Sequence, residues 1–79
     1  MSSTEKEILE IVSELLGIKV HEVSPAHTFT DLGLSSLERV ELVMILEERF
    51  HCAITEEELQ QLHTIQDVIQ FIHRAGVTL

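Results

Sequence analysis

Cysteine is almost missing from this chain. Cys52 stands alone, so no internal disulfide can form, and a disulfide-stapled secreted scaffold is excluded. Tryptophan and tyrosine are absent and there are three phenylalanines, so the core has to be aliphatic. Basic residues are scarce: five Lys and Arg face fourteen Asp and Glu, for a net charge of −9. That sign is wrong for binding nucleic-acid phosphates and right for docking on basic proteins. No apolar run is long enough to span a bilayer and no basic leader precedes one, so membrane insertion is not expected and the default location is cytoplasmic. A Gly-x-Ser-x-Gly elbow is also missing, and a bundle this small offers little substrate cleft, so self-contained catalysis is not expected. His21, His27, His51, His63 and His73 include no pair at metal-ligand spacing; no metal site is expected beyond loose cation binding near Glu47 and Glu48 or Asp31. Cys52 reads as a small buried or half-buried side chain, not a reactive thiol.

What is present is helical signal. With 79 residues the chain reads as one domain spanning 1–79, close to the lower size limit for a self-sufficient core, and as a monomer. Four pairs have the form of a capping box: Thr4 with Glu7, Ser35 with Glu38, Thr55 with Glu58 and Thr64 with Asp67. Each precedes apolar residues at helical spacing, and no alternating strand segment occurs. The expected fold is all-α: a four-helix bundle of three longer helices and one short one, with a long loop between the first and second.

Ile8, Ile11, Val12 and Leu15 form the core face of the first helix, widened by Leu9 and Leu16, and Gly17 is its stop. The connection from Ile18 to Leu34 contains Pro25 and is pinned by Val20, Val23, Phe29 and Leu32. Leu59 and Leu62 turn inward from the third helix. Ile65, Val68, Ile69 and Ile72 line the inside of the fourth, with Phe71 partly buried and Gly76 at its end.

The second helix, from Ser36 to Phe50, has two unlike faces. At about 100° per residue, Leu42, Val43, Leu46 and Phe50 share a core arc. Leu37, Val40 and Met44 fall on the other side, among Glu41, Glu47 and Glu48. A helix facing one core should not expose that mixture, so the stripe is expected to dock a partner. At the start of this helix Ser35 reads as the N-cap, which puts Ser36 at the first helical position. There a hydroxyl is exposed beside free N–H groups and the positive end of the helix dipole, where a phosphate ester is best tolerated.

The run Phe29-Thr30-Asp31-Leu32-Gly33-Leu34-Ser35-Ser36-Leu37-Glu38 continues through Val40-Glu41-Leu42-Val43-Met44 to Glu47-Glu48 and Phe50. It resembles the acyl carrier proteins of fatty-acid synthesis, which show Asp-Leu-Gly, then Asp-Ser-Leu, then a Val-Glu-Leu-Val helix ending in Glu-Glu and Phe. The likeness extends from Glu5 to about Gly76. It implies that Ser36 receives 4′-phosphopantetheine from coenzyme A through a phosphopantetheinyl transferase, and that the terminal thiol carries acyl groups as thioesters. It also implies that Leu37, Val40, Glu41, Met44, Glu47 and Glu48 dock acyl-transfer and synthesis enzymes with basic patches, and that the bundle interior shelters the acyl chain. The protein would then be no enzyme but a shuttle.

Ser35 stands where the family usually has Asp, Leu34 and Ile45 where it often has Ala, and Arg39 adds a positive charge to a helix that is usually almost wholly acidic. These departures point to a specialised or secondary carrier. Two other readings remain open from the residues: an aminoacyl, peptidyl or polyketide-type carrier, and an unmodified helical interaction module.

Overall fold

The computed structural model describes residues 3–75. In chain order the elements are α1 (Ser3–Leu16), a 3-10 turn (Val20–Glu22), α2 (Ser36–Phe50), α3 (Glu56–Gln61) and α4 (Ile65–Arg74). Among the described residues there is no strand, and the expected helical bundle is what forms.

Helix α1 packs on both α2 and α4. Ile8, Leu9, Ile11 and Val12 are buried, while Leu15 and Leu16 are half-buried, so the buried face lies nearer the start of the helix than the spacing implied. Buried Ser13 satisfies its hydroxyl by donating to the Glu10 carbonyl at 2.8 Å. The expected Thr4–Glu7 box does not form the boundary, because Ser3 and Thr4 are already helical. The first helical residue expected after a Thr4 cap, Glu5, lies two positions past Ser3, within the range over which helix ends fray. Gly17 does end the helix: at φ +70° it turns the chain left-handed, with Ile18 N–H on the Ser13 carbonyl and Gly17 N–H on the Glu14 carbonyl. That pair of bonds is a Schellman closure.

The long connection is tied down by its backbone more than by its apolar residues. Val23 and Phe29 are buried, and so is Leu34 just before α2; Leu32 is half-buried, and Val20, expected as an anchor, is exposed. Val20 sits in the 3-10 turn, whose single turn cannot hide both neighbouring faces. Three backbone bonds lash the loop to the start of α4: Phe29 N–H to the His63 carbonyl (3.2 Å), Ile65 N–H to His27 (3.0 Å) and Gln66 N–H to Pro25 (2.8 Å). Thr28 and Thr64 form an isolated antiparallel bridge there. A loop buried this way meets its obligatory backbone hydrogen bonds without any strand.

The core is aliphatic apart from buried Phe29, with Ile8, Leu46, Ile65, Ile72, Val12 and Val68 the most enclosed. Of the expected core arc of α2, Leu42 and Leu46 are buried while Val43 and Phe50 are half-buried. The helix ends at His51, which takes the left-handed conformation (φ 53°, ψ 48°) and donates its N–H to the Glu47 carbonyl. No glycine marks this end, although the backbone is the kind glycine serves best. Arg49 pairs with Glu7 at 3.2 Å across the α1–α2 seam, but both side chains are exposed enough that solvent screens the pair. The expected stop at Gly76 lies outside the described residues.

The αL position at His51 gives a direct prediction. A non-glycine residue there costs about 1–2 kcal/mol, and glycine loses about 0.5–1 kcal/mol of that advantage to its freer unfolded chain. His51→Gly should therefore raise the melting temperature by a few degrees in a thermal scan. An unchanged or lower value would show that the His51 side chain contributes contacts that outweigh the backbone strain.

Candidate functional site

Three short-range devices build the start of α2. Asp31 and Thr28 bond reciprocally: Thr28 N–H donates to Asp31 Oδ2 at 3.1 Å, and Asp31 N–H donates to Thr28 Oγ1 at 2.9 Å. These bonds from the Thr28 backbone and then its side chain hold the Asp31 carboxyl below its ordinary value of 3.8. Gly33 then turns left-handed at φ +73°, which is why the Asp-Leu-Gly order suits this bend. Leu34 follows into the core, its N–H on the Phe29 carbonyl at 3.0 Å. Ser35 closes the helix start with a complete capping box: Glu38 N–H donates to Ser35 Oγ at 3.2 Å, and Ser35 N–H donates to Glu38 Oε1 at 3.0 Å.

Ser36 is the first residue of α2 and is exposed. Its own N–H and that of Leu37 have no intrahelical acceptor. Among the described residues no hydrogen bond engages its hydroxyl and no carboxylate or imidazole is paired with it. The chain thus presents an oxygen that a second protein can reach. These features fit a phosphate ester on Ser36: an accessible oxygen, uncommitted amides, the positive end of the helix dipole and, one turn on, a cation.

That cation is Arg39, and its position corrects the sequence reading. It does not join the exposed acidic face. Arg39 is half-buried, its guanidinium carbon lies 5.4 Å from the centre of the Phe29 ring, and its Nε is buried with no hydrogen-bond partner. The helical wheel already carried the signal: Arg39 precedes Leu42, Leu46 and Phe50 at i+3, i+7 and i+11, on the core arc. Arg39 and Ser36 together line a cleft of about 250 Å³ that is floored by Phe29 and walled by Val40, Leu59 and Leu62. Deeper in the core lies a void of about 10 Å³.

The opposite side of α2 is open. Leu37 is 68% exposed, Met44 62% and Val40 50%, which is unusual for large apolar side chains in so small a domain. Glu41 and Glu48 are exposed beside them. Glu47 is half-buried and accepts the Ile54 N–H at 2.8 Å, so its carboxylate also fixes the turn after α2. Cys52 is half-buried, and burial, then the charges of Glu47 and Glu58, push its thiol pKa up, so it is a poor nucleophile. Among the described residues no group of three or more His, Cys, Asp or Glu side chains is gathered as a metal site would need. Among the described residues no helix is long and apolar enough to cross a membrane.

This arrangement is a bundle with an accessible serine opening an acidic and apolar helix, and the comparisons place it among carriers, not enzymes. Residues 6–72 match the family model described as the phosphopantetheine attachment site. The structure is similar to the crystal structure of an acyl carrier protein from Thermotoga maritima, with a TM-score of 0.78 and 28% sequence identity, covering 94% of this chain and 92% of that one. The chain belongs to the phosphopantetheine-attachment family, with the fold of the acyl carrier proteins, and its cofactor is 4′-phosphopantetheine. Carriers of this family are served by a phosphopantetheinyl transferase and by the synthesis enzymes that use their cargo.

The site rests on Asp67 at the far side of the loop tie. Its Oδ2 accepts the His63 N–H at 3.0 Å and the Thr64 N–H at 3.1 Å, and these two bonds, in that order, hold its carboxyl below the ordinary 3.8. A depressed folded pKa stabilises the native state fully above the unfolded value, and that stability is lost as pH falls through the folded one. Wild type should therefore be more stable than Asp67→Asn at pH 7, with the gap closing as pH drops below about 4. Taking the difference between the two proteins removes the general effect of discharging an acidic chain. A gap that stays constant with pH in urea titrations would mean that the charge of Asp67 does not hold the tie.

Proposed function

We propose that this chain is an acyl carrier of fatty-acid or related lipid synthesis, with Ser36 as the residue that bears 4′-phosphopantetheine. The observation that carries the reading is the place of Ser36: exposed, first in α2, directly after a closed capping box and beside a cleft whose lining includes the buried Phe29 and Leu62. The family motif falls on the same residue. Ser36 supplies the acceptor oxygen; a basic transferase supplies the means of taking its proton, since among the described residues no base is paired with it. When bound, the cofactor supplies a thiol on which acyl groups travel as thioesters.

Docking runs through Leu37, Val40, Glu41, Met44, Glu47 and Glu48. The apolar side chains bury against a partner enzyme, and the carboxylates steer it by its basic patch. Glu47 contributes through its charge, because its Oε2 also accepts the Ile54 N–H of the loop. Such a protein works as a cytoplasmic monomer that meets several enzymes in turn. An aminoacyl, peptidyl or polyketide-type carrier uses the same serine; the strongly acidic surface, with a net charge of −9, favours the lipid-synthesis reading.

The test is the time course of intact mass with coenzyme A and a broad-specificity phosphopantetheinyl transferase. Wild type should gain one phosphopantetheine, and Ser36→Ala should gain none while keeping its helical circular dichroism. Transfer at sub-saturating carrier should slow as salt rises toward 1 M, where the screening length falls to about 3 Å. Mass gain by the alanine variant would refute the assignment of Ser36, and a salt-independent rate would refute docking by the acidic face.

A further inference from the structure

The cleft beside Ser36 and the void in the core are separate spaces with a shared wall. Four residues line both: Phe29, Arg39, Leu59 and Leu62. Any group passing inward moves between them, and Arg39 is the one polar member of the four. Its guanidinium lies over the Phe29 ring, and its Nε–H is sunk among these apolar walls with no acceptor. Among the described residues no carboxylate forms an ion pair with it. The void behind it is about 10 Å³, room for about one water and not for a hydrocarbon chain.

We propose that Arg39 determines the class of cargo: the cleft takes a short acyl group that ends in a carboxylate, and it disfavours a long saturated chain. This rests on the reading of Ser36 as the attachment point. A saturated chain bound for the core must push Arg39 off Phe29 and open a space that the packing does not offer, and it brings no acceptor for the buried Nε–H. A half-thioester of a dicarboxylic acid does none of this. Its carboxylate stays in the outer cleft and accepts from the guanidinium, whose planar fork suits that geometry, while the stack on Phe29 persists. The rest of the molecule makes this selective, because a chain of net charge −9 repels a free carboxylate nearly everywhere else. The phosphodiester of the arm is the competing anion, one turn from Arg39, and the unacylated load separates the two.

The experiment loads the full chain from three sources: unacylated coenzyme A, hexanoyl-coenzyme A and glutaryl-coenzyme A. The two acyl groups nearly match in length and differ at the end. Two readouts follow. The first is the nitrogen-15 resonance of Arg39 Nε in the unsubstituted protein. The second is the rate at which hydroxylamine cleaves each thioester, divided by the rate for the matching free coenzyme A thioester. Glutaryl loading should move the Nε resonance and slow cleavage by about tenfold, the effect of one charge-assisted hydrogen bond. Hexanoyl loading should do neither. In Arg39→Thr, checked for native circular dichroism, glutaryl protection should disappear and hexanoyl protection should emerge. Equal movement of the resonance by all three loads would assign Arg39 to the phosphodiester and overturn the proposal. Hexanoyl protection in wild type matching or exceeding glutaryl protection would overturn it as well. Intact mass separates the two levels: a chain that never gains the arm overturns the reading of Ser36 and this proposal with it. A loaded chain that fails to discriminate overturns cargo selection alone.

Discussion

The backbone tie between the long loop and the start of α4 is the constraint on which the rest depends. Phe29 N–H on the His63 carbonyl and Ile65 N–H on the His27 carbonyl hold two segments that lie more than thirty positions apart in the chain. That tie puts Phe29 into the core, and from Phe29 the chain is led by the Asp31 box and the Gly33 turn to the Ser35 cap. The Thr64 cap of α4 and the Asp67 carboxylate hold the other half of the tie. A loop of this length would otherwise carry a large ordering cost with little to offset it. Here its hydrogen bonds are met by a helix cap that is needed in any case, and the start of α2 inherits a fixed position.

Helix α2 then does two jobs with its two sides. Leu42 and Leu46 bind it to the bundle, while Leu37, Val40 and Met44 stay in water with Glu41 and Glu48 beside them. Exposed apolar surface of this kind is a standing cost in a monomer, and it makes sense on a protein that must dock repeatedly and let go. On the proposed reading the acidic charge serves the same end, since it would speed encounter with basic enzymes. Arg39 breaks the pattern because it belongs to neither side. It occupies the seam between α2 and the loop, where its charge is partly removed from water and rests on an aromatic face.

Much of this was legible in the sequence, for reasons that differ from element to element. The caps at Ser35, Thr55 and Thr64 were readable because a capping box is a local pattern, and all three close as expected. The wheel of α2 separated the core side from the open side because fifteen residues are enough to establish a phase. The Thr4–Glu7 pair lies inside α1, because a cap pattern alone holds no tertiary contact that fixes where the helix begins. Val20 was misjudged because a 3-10 turn inside a loop has no periodicity to read. The end of α2 at His51 lacked its glycine signal, and the loop tie was invisible because it is made by backbone atoms of distant segments. Arg39 was legible in angle and overlooked because its charge argued for the surface; tertiary packing prevailed over residue type.

The central claim is that one oxygen, that of Ser36, carries the cofactor, although Ser35 stands next to it with the same chemistry. Ser35 is committed to the Glu38 N–H through its Oγ, whereas Ser36 is uncommitted and exposed. Fragmentation of the modified peptide spanning these two serines decides between them directly. The account predicts that the phosphopantetheine mass appears first in the fragment ions that include Ser36 and is absent from those that stop at Ser35. A cofactor localised to Ser35, or divided between the two, would contradict it.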